Sequence, residues 1–567
     1  MDKRQVWMGG LASGLMLWLA LPPCGWAWLG WFAPLPWIGL VARETLPGKR
    51  PYWAAWGASS IFWLVYLQGV RLAHPALYGG WLALSLYVAA YAPLFLALAR
   101  FAVHRWRWPL PLAAPVVWTG LELVRGRFLG GFTGGMIGNT QTQSLTVLQA
   151  ADLGGAYGLS FAMVLVGACV VAAARTWLAK SNPENSQGRM GQGAAAAVWL
   201  SLALLTLVAL VAYGRWRLST SPLAAATTDE ATGQQEGGVE RPLRAVLIQE
   251  SMDTIFEHNP ERNADGFAKY VKRTEAACAD LGPIDVVVWP ESMFSENSVD
   301  FLLPAGLTIE QLEPQQRLFD GKCQFVSGRM AKAYAAHGSS PPPLIAGTVT
   351  VAIDRTGRTR EYNSALLLEA PGRVADRYYK RHLVMFGEYI PLGGWFPWVY
   401  SLAGMPGALS EGEEEKVFTV RGWRLAPNIC FETMVPQRIR GQVRELAARG
   451  ESPDLLVSLT NDGWFWGSAL LDMHLQAAVL RAVEVRRPMV VAANTGLSAS
   501  IDGDGRVLAR GPRREGGTIA ADVRRDGRST WYVLVGDAPW QGCAGLCLVL
   551  GLAQVAAWWR TRRQHRS

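Results

Sequence analysis

The stretch RLAPNICFET, residues 424–433, decides how the chain is read. A strand-like run ends in Asn428-Ile429-Cys430, and a carboxylate, Glu432, follows two residues after the thiol. Two earlier stretches have the same form. VVVWPES, residues 286–292, carries Glu291 behind three valines, and YYKRHLVMFGEYIP, residues 378–391, carries Lys380 and Glu388 behind a tyrosine pair. Apolar runs of this kind read as buried strands. The pattern therefore puts a carboxylate, an ammonium and a thiol each at the end of a strand.

A free thiol has a pKa of roughly 8.5, so little of it is thiolate at neutral pH. Activation needs a base, a neighbouring cation, or both. Glu291, desolvated at the end of its strand, has the character of a general base. An ammonium at Lys380 would favour thiolate and then hold the oxyanion of a tetrahedral intermediate. A nucleophile at Cys430 would split acyl transfer into two steps through a thioester. Each residue also has a plainer reading. A lone cysteine in a strand is usually a small hydrophobe. Glu291 could sit at a helix N-terminus, Lys380 could be surface charge, and Glu388 could be a turn residue bonded to backbone amides. Asn461-Asp462-Gly463 reads as a turn or helix cap, Asn494-Thr495-Gly496 as a turn, and His382 as structural.

Working outward, short β-rich runs at 243–249, 285–289, 344–353, 364–368, 373–379, 424–431, 454–459, 489–493, 499–502 and 518–523 alternate with helical stretches near 261–278, 315–336, 437–448 and 470–485. This predicts a mixed α/β domain over 243–530. Residues 214–242, small, polar and aperiodic, read as a linker. The seven cysteines show neither CxxC nor Cys/His metal spacing. Cys278 and Cys323 could pair in an oxidising compartment. No Gly-rich phosphate loop occurs, so neither a metal nor another cofactor is expected.

The flanks are different. Hydrophobic residues make up 50% of the 567 and charged ones 17%, too apolar for an ordinary soluble protein and too charged for a pure membrane bundle. Apolar runs at 6–20, 26–41, 52–70, 77–98, 110–123, 156–174, 194–213 and 543–559 are candidate membrane spans, about eight in all, although a helix needs about 20 residues to cross. They predict a multi-pass helical domain over 1–213, with a final span and basic tail over 541–567. The net charge of +9 does not point to nucleic acid, because the basic residues sit beside the apolar runs. With the N-terminus in the cytoplasm, the inner loops carry Lys3, Arg4, Arg43, Lys49, Arg50, Arg100, Arg105, Arg107, Arg175, Lys180 and Arg189, then Arg560, Arg562, Arg563 and Arg566. The opposite short loops carry only Arg71, Arg125 and Arg127, as the positive-inside rule requires. The α/β domain then lies outside the cytoplasm.

The order Glu, Lys, Cys at strand ends of one α/β domain resembles the nitrilase (carbon–nitrogen hydrolase) superfamily. WPES, YNSALLLEAPGRVADRYYKRHLVMFGEYIP, NICFE, LTNDGWF, RAVEVRRP and NTGLS, with WTGLELVRGRFLGGF and GNTQ in the membrane part, resemble the apolipoprotein N-acyltransferase family. That resemblance implies an αββα sandwich on about eight transmembrane helices. It implies Glu291 as base, Lys380 as oxyanion partner, Cys430 as nucleophile and Glu388 as a second essential carboxylate. Asn363 matches the asparagine of the YNS motif, and Phe431 and Glu432 match the pair after the nucleophile. The implied reaction is ping-pong: a phospholipid acylates Cys430, and the α-amine of a diacylglyceryl-cysteine in an apolipoprotein takes the chain. The implied location is the bacterial inner membrane with the catalytic domain periplasmic, and the expected state is a monomer. Thr133-Gly134 stands where Pro-Trp is usual, Gln249-Glu250-Ser251 where Gln-Gly-Asn is common, and Met385, Gly463 and Val491 also depart from the pattern. These bear on lipid and substrate contacts, not on the proposed triad.

A lipid acyl chain carries about 0.8 kcal/mol of burial per CH₂, so drawing a long one into water costs on the order of 10 kcal/mol. The aromatic stretches 393–409 and 464–471 are expected to be membrane-facing arms, or else ordinary core. The competing reading is a membrane-tethered amidase acting on a small amide. The number of spans weighs against it, since one helix would tether such an enzyme.

Overall fold

The computed structural model describes residues 4–72, 74–75, 77–180, 189–222, 241–254, 260–294, 299–302, 313–353, 359–391, 393–402 and 407–564. Most of the expected linker, and part of the expected arm at 393–409, lie outside the described residues. Two compact units emerge: Met1–Gln68, Tyr78–Ser219 and Leu534–Ser567 form the first, Gly69–Leu77 and Thr220–Val533 the second.

The first unit is helical: α1 (Arg4–Ala20), α2 (Leu35–Ala42), α3 (Pro51–Tyr66), α4 (Leu77–Ala89), α5 (Tyr91–Arg100), α6 (Leu110–Arg125), α7 (Ala151–Lys180), α8 (Arg189–Ser219) and a last helix, Ala538–Gln564. All eight expected apolar segments contain helix. Four helices among the described residues are long and apolar enough to cross a membrane: Leu77–Arg105, Ala151–Leu178, Gly193–Ser219 and Ala538–Gln564. The helices α1, α3 and α6 stop at 17, 16 and 16 residues, and the second apolar run splits into a 3-10 turn, Ala27–Trp31, and α2. Prolines set these limits. Pro51 opens α3, and Pro34 and Pro109 precede α2 and α6 as their N-caps.

Several polar groups inside this apolar unit are paired, which matters because an unpaired one costs several kcal/mol in hydrocarbon. Ser13 Oγ donates to the Ala33 carbonyl at 2.6 Å, and Gln141 Nε2 to that of Ala27 at 2.9 Å. Asp152 at the start of α7 accepts from Tyr213 Oη at 2.6 Å and Arg217 Nε at 2.7 Å, both on α8. Gly154 and Gly155 interrupt α7, and the Gly154 carbonyl is taken by Trp540 Nε1 at 2.9 Å.

The second unit holds two sheets. The strands are β1 (Leu243–Gln249), β2 (Val286–Val288), β3 (Val299–Leu302), β4 (Leu344–Ile353), β5 (Thr359–Glu369), β6 (Arg373–Tyr379), β7 (Phe418–Val420), β8 (Trp423–Ile429), β9 (Leu455–Asn461), β10 (Met489–Asn494), β11 (Ala499–Ile501), β12 (Val507–Arg510) and β13 (Gly517–Val523). One sheet runs β13-β1-β2-β4-β5-β6, with β3 also on β4; the other runs β12-β11-β10-β9-β8-β7. Leu247, Val288, Ile345 and Leu367 of the first meet Leu425, Leu455, Val457 and Val490 of the second in a fully buried core. The opposite face of the first sheet is covered by α9 (Pro260–Asp280) and α10 (Glu313–Tyr334), through Tyr270, Phe319, Val326 and Tyr334. On the second, α11 (Pro436–Ala448) packs against α12 (Leu470–Val485), which contacts β10 and β11.

Strands buried on both faces need apolar residues throughout, which is why β1, β2, β8, β9 and β10 read as continuous runs. β3, β7 and β12, three or four residues each, lie outside the expected runs. Cys278 and Cys323 form no disulfide, and both lie in the helix–sheet core. Burial, then the charge of Glu275, pushes the Cys278 thiol up to about 12, so it is inert packing.

Candidate active site

The parallel β8 and β9 set the nucleophile's place. Ile429 stands opposite Leu459, so the next position along the two strands brings Cys430 beside Thr460. There the chain turns into a 3-10 turn, Cys430–Met434, and Cys430 itself adopts φ 51°. A side chain in the left-handed region costs roughly 1–3 kcal/mol and persists only where the surroundings impose it. Ser292, directly after Glu291, has φ 61°. That second bend is pressed onto β4, where Gly347 allows the approach: a Cβ there would stand 2.5 Å from Glu291 Cα.

Lys380 follows β6 directly, and its N–H donates to the Asn363 carbonyl on β5 at 2.8 Å. Four of the expected residues converge. The Asn363 amide donates one N–H to Glu291 Oε1 at 2.7 Å and one to Glu388 Oε1 at 2.8 Å. Lys380 Nζ is 2.9 Å from Glu388 Oε1 and 3.4 Å from Glu291 Oε1. The remaining oxygens are also held: Glu291 Oε2 accepts from the Asn461 N–H at 3.0 Å and Glu388 Oε2 from the Val384 N–H at 2.8 Å. Lys380 is 1% exposed and Glu291 7%. A buried ammonium is tolerable here because two carboxylates and an amide surround it.

Cys430 joins this cluster electrostatically. Burial opposes the charge on Lys380, but Glu291, Glu388 and Cys430 together outweigh it and hold the ammonium above its ordinary range. For Cys430 the balance runs the other way. Burial first, then Glu291, raise the thiol well above its usual value, against the lowering influence of Lys380. Lys380 does favour thiolate, but burial and Glu291 outweigh it while Nζ is shared between two carboxylates. The thiol rests protonated, and a base must take its proton as it reacts.

Phe431 and Glu432 lie to one side. The Phe431 ring stacks on His382, centroids 5.8 Å apart. Glu432 is fully buried and accepts from Tyr378 Oη at 2.8 Å, the Ile429 N–H at 2.8 Å and the Arg381 N–H at 3.0 Å. It thus ties the bend at Cys430 to the turn that carries Lys380. His382 gives its backbone N–H to the same carboxylate, at 3.2 Å.

Sequence reasoning missed a polar group behind the sulfur. Thr460, the neighbour of Cys430 across β8 and β9, lowers the thiol's pKa, and its Oγ1 donates to Asp462 Oδ1 at 3.0 Å, a carboxylate oxygen that also accepts from His474 Nδ1 at 2.6 Å. Asn494 Nδ2 donates to Asn461 Oδ1 at 2.9 Å, fixing the segment whose N–H holds Glu291. A signal was present: His474 is a polar residue among the apolar positions of α12, one turn after Leu470 and Leu471. Of the expected arms, Trp395 is 82% exposed and Trp398 62%, so these rings are not core, and Trp466 is 40% exposed.

Residues 247–532 match the carbon-nitrogen hydrolase family, which defines the class of the second unit. Residues 13–169 match the apolipoprotein N-acyltransferase N-terminal domain. The apolipoprotein N-acyltransferase of Rhodopirellula baltica is 33% identical over 99% of this chain and 99% of its own, and that of Geobacter metallireducens 29% over 97% and 95%. The chain belongs to the apolipoprotein N-acyltransferase family. Among solved structures, Saccharomyces cerevisiae Nit3, a member of branch 10 of the nitrilase superfamily, matches 54% of this chain and 97% of its own at 15% identity with a TM-score of 0.35. The assignment therefore rests on the sequence matches.

Proposed function

We propose that the protein moves an acyl chain from a membrane phospholipid, through a thioester on Cys430, to the α-amine of the diacylglyceryl-cysteine that begins an apolipoprotein. The observation that carries this reading is the cluster of Glu291, Lys380, Glu388 and Asn363, electrostatically coupled to the bent Cys430, in a chain whose full-length relatives bear the N-acyltransferase name. Glu291 takes the Sγ proton as sulfur attacks the ester carbonyl. Lys380 Nζ faces the oxygen that becomes negative. Collapse breaks the ester C–O bond, and Glu291 returns its proton to the lysophospholipid alcohol. The acceptor amine then attacks the thioester, Glu291 takes an amine proton, and the C–S bond breaks to give the amide and, on reprotonation, the free thiol. Asn363 and Glu388 keep base and ammonium in register. By the charge asymmetry of its loops, this chemistry takes place on the periplasmic side of the inner membrane, in a monomer, with the exposed Trp395 and Trp398 directed to the lipid.

The test is to incubate the purified full-length protein with phosphatidylethanolamine carrying a labelled acyl chain and look for a hydroxylamine-sensitive label on the Cys430 peptide. A diacylated lipopeptide should then remove the label as N-acyl product. Cys430→Ala should take up none; label on that variant, or ammonia release from small amides without acyl transfer, would overturn the reading. Lys380→Met should lower the rate of thioester formation by about 10²–10³, the usual consequence of losing one oxyanion donor.

A further inference from the structure

The polar group behind Cys430 has no part in the scheme above, yet it is built with care. Asp462 is 1% exposed, and the His474 side chain beside it is partly buried, 10% exposed. A carboxylate only accepts, so at 2.6 Å the His474 Nδ1 must carry the proton between them. Asp462 Oδ1 also lies 3.0 Å from Thr460 Oγ1. The threonine has one hydroxyl proton, which at rest is donated to Asp462 Oδ1 with His474 Nδ1 3.4 Å from the same Oγ1; a thiolate at Cys430 would be a second claimant for it.

We propose that His474 is a positioning residue for the nucleophile: its Nδ1–H satisfies Asp462, so that the Thr460 hydroxyl, donated to that carboxylate at rest, can turn to the sulfur as thiolate forms and no bare carboxylate faces it. This deepens the acyl-transfer reading and rests on it for the role of Cys430. Asp462 raises the Cys430 thiol and Thr460 lowers it. Desolvation works against a charge on His474, but Asp462 and the more distant Glu291 outweigh it and Lys380, holding the imidazole above its ordinary range. The charged or titratable groups felt by His474 are thus Asp462 at the end of β9, Glu291 after β2 and Lys380 after β6. On α12 itself, Asp472 is engaged by Arg510 and Arg513. The Phe465 ring packs edge-on to the imidazole at 6.2 Å and carries no charge. Gly496 lies against the same carboxylate, where a Cβ would stand 2.3 Å from Asp462 Oδ2, so the group is closely held.

The experiment reads the sulfur directly: the rate at which iodoacetamide alkylates Cys430 in the intact detergent-solubilised protein at pH 8, followed on the Cys430 peptide by mass spectrometry. Below its pKa a thiol reacts in proportion to its thiolate fraction, so raising that pKa by one slows alkylation about tenfold. His474→Gln leaves Asp462 bare and should slow alkylation about tenfold or more. Asp462→Asn should be as fast as the wild type or faster. The double variant should return to within about threefold of the wild type, which a merely structural role would not do. An unchanged rate in His474→Gln, or a double variant as slow as the single one, overturns the proposal. Should His474→Gln fail to fold, Asp462→Asn decides alone: slower alkylation there refutes it. Because no acyl donor is present, these outcomes are independent of whether the thioester reading survives.

Discussion

Cys430 carries two burdens that its neighbours must lift: a left-handed backbone and a thiol that holds its proton. The second has a measurable sign. In the folded protein the pKa is above the ordinary value, so alkylation should rise about tenfold per pH unit through neutrality and show no plateau by about pH 9, whereas the unfolded chain levels off near pH 8.5. By linkage the protonated thiol contributes to stability below its unfolded pKa, and that contribution is lost as pH rises through the folded one. A plateau at neutral pH would show a standing thiolate instead. Asn363 is the other decisive residue at this scale. Its two N–H bonds are the link between both carboxylates, each a hydrogen bond to a charged group worth about 1.5–3 kcal/mol. Asn363→Ala should reduce turnover by about 10² or more with KM for the lipid donor little changed; a lost KM with intact turnover would place the residue in binding.

Among elements, the strand ends are where sequence and structure agree most closely. The runs at 243–249, 344–353 and 373–379 fall where β1, β4 and β6 lie, and α12 matches its stretch, because fully buried elements leave an unbroken apolar record. The site was legible for a related reason: its carboxylate, ammonium and thiol follow such runs. What was illegible depends on side chains meeting across elements. Asp462 in a turn and His474 on a helix show nothing of their 2.6 Å bond in a linear reading. The candidate spans were legible as apolar runs but not as lengths, since prolines bound α2, α3 and α6. Contact across elements also yields a prediction at Gly347. Gly347→Ala puts a methyl within 2.5 Å of the Glu291 Cα. The turn must move, at a cost of about 1–3 kcal/mol, so a melting point lower by several degrees should accompany a turnover loss larger than stability alone explains. Unchanged thermal unfolding would mean the turn has slack.

At the scale of the whole molecule, the charge pattern of the short loops is the feature to test. With 54 Lys and Arg against 45 Asp and Glu, the excess of positive charge sits in those loops assigned to the cytoplasm and in the tail after Trp559. An impermeant protease added to spheroplasts should cut on the outer side, within the linker expected over 214–242, and leave an epitope after Arg563 intact; inverted vesicles should give the opposite result. Loss of the tail epitope from spheroplasts would reverse the assigned orientation.

The pairing of β13 with β1 has a consequence for how such a chain is made. Leu243 lies opposite Val523 and Gln249 opposite Gly517, so the domain's opening strand finds its outer partner only some 270 residues later. Until the ribosome has released that far segment, a row of bare amides and carbonyls stands ready to recruit any passing strand. A nascent or truncated polypeptide stopping before residue 517 should therefore be short-lived, cleared by proteases or lost to aggregates, while one reaching residue 530 closes on itself like a clasp.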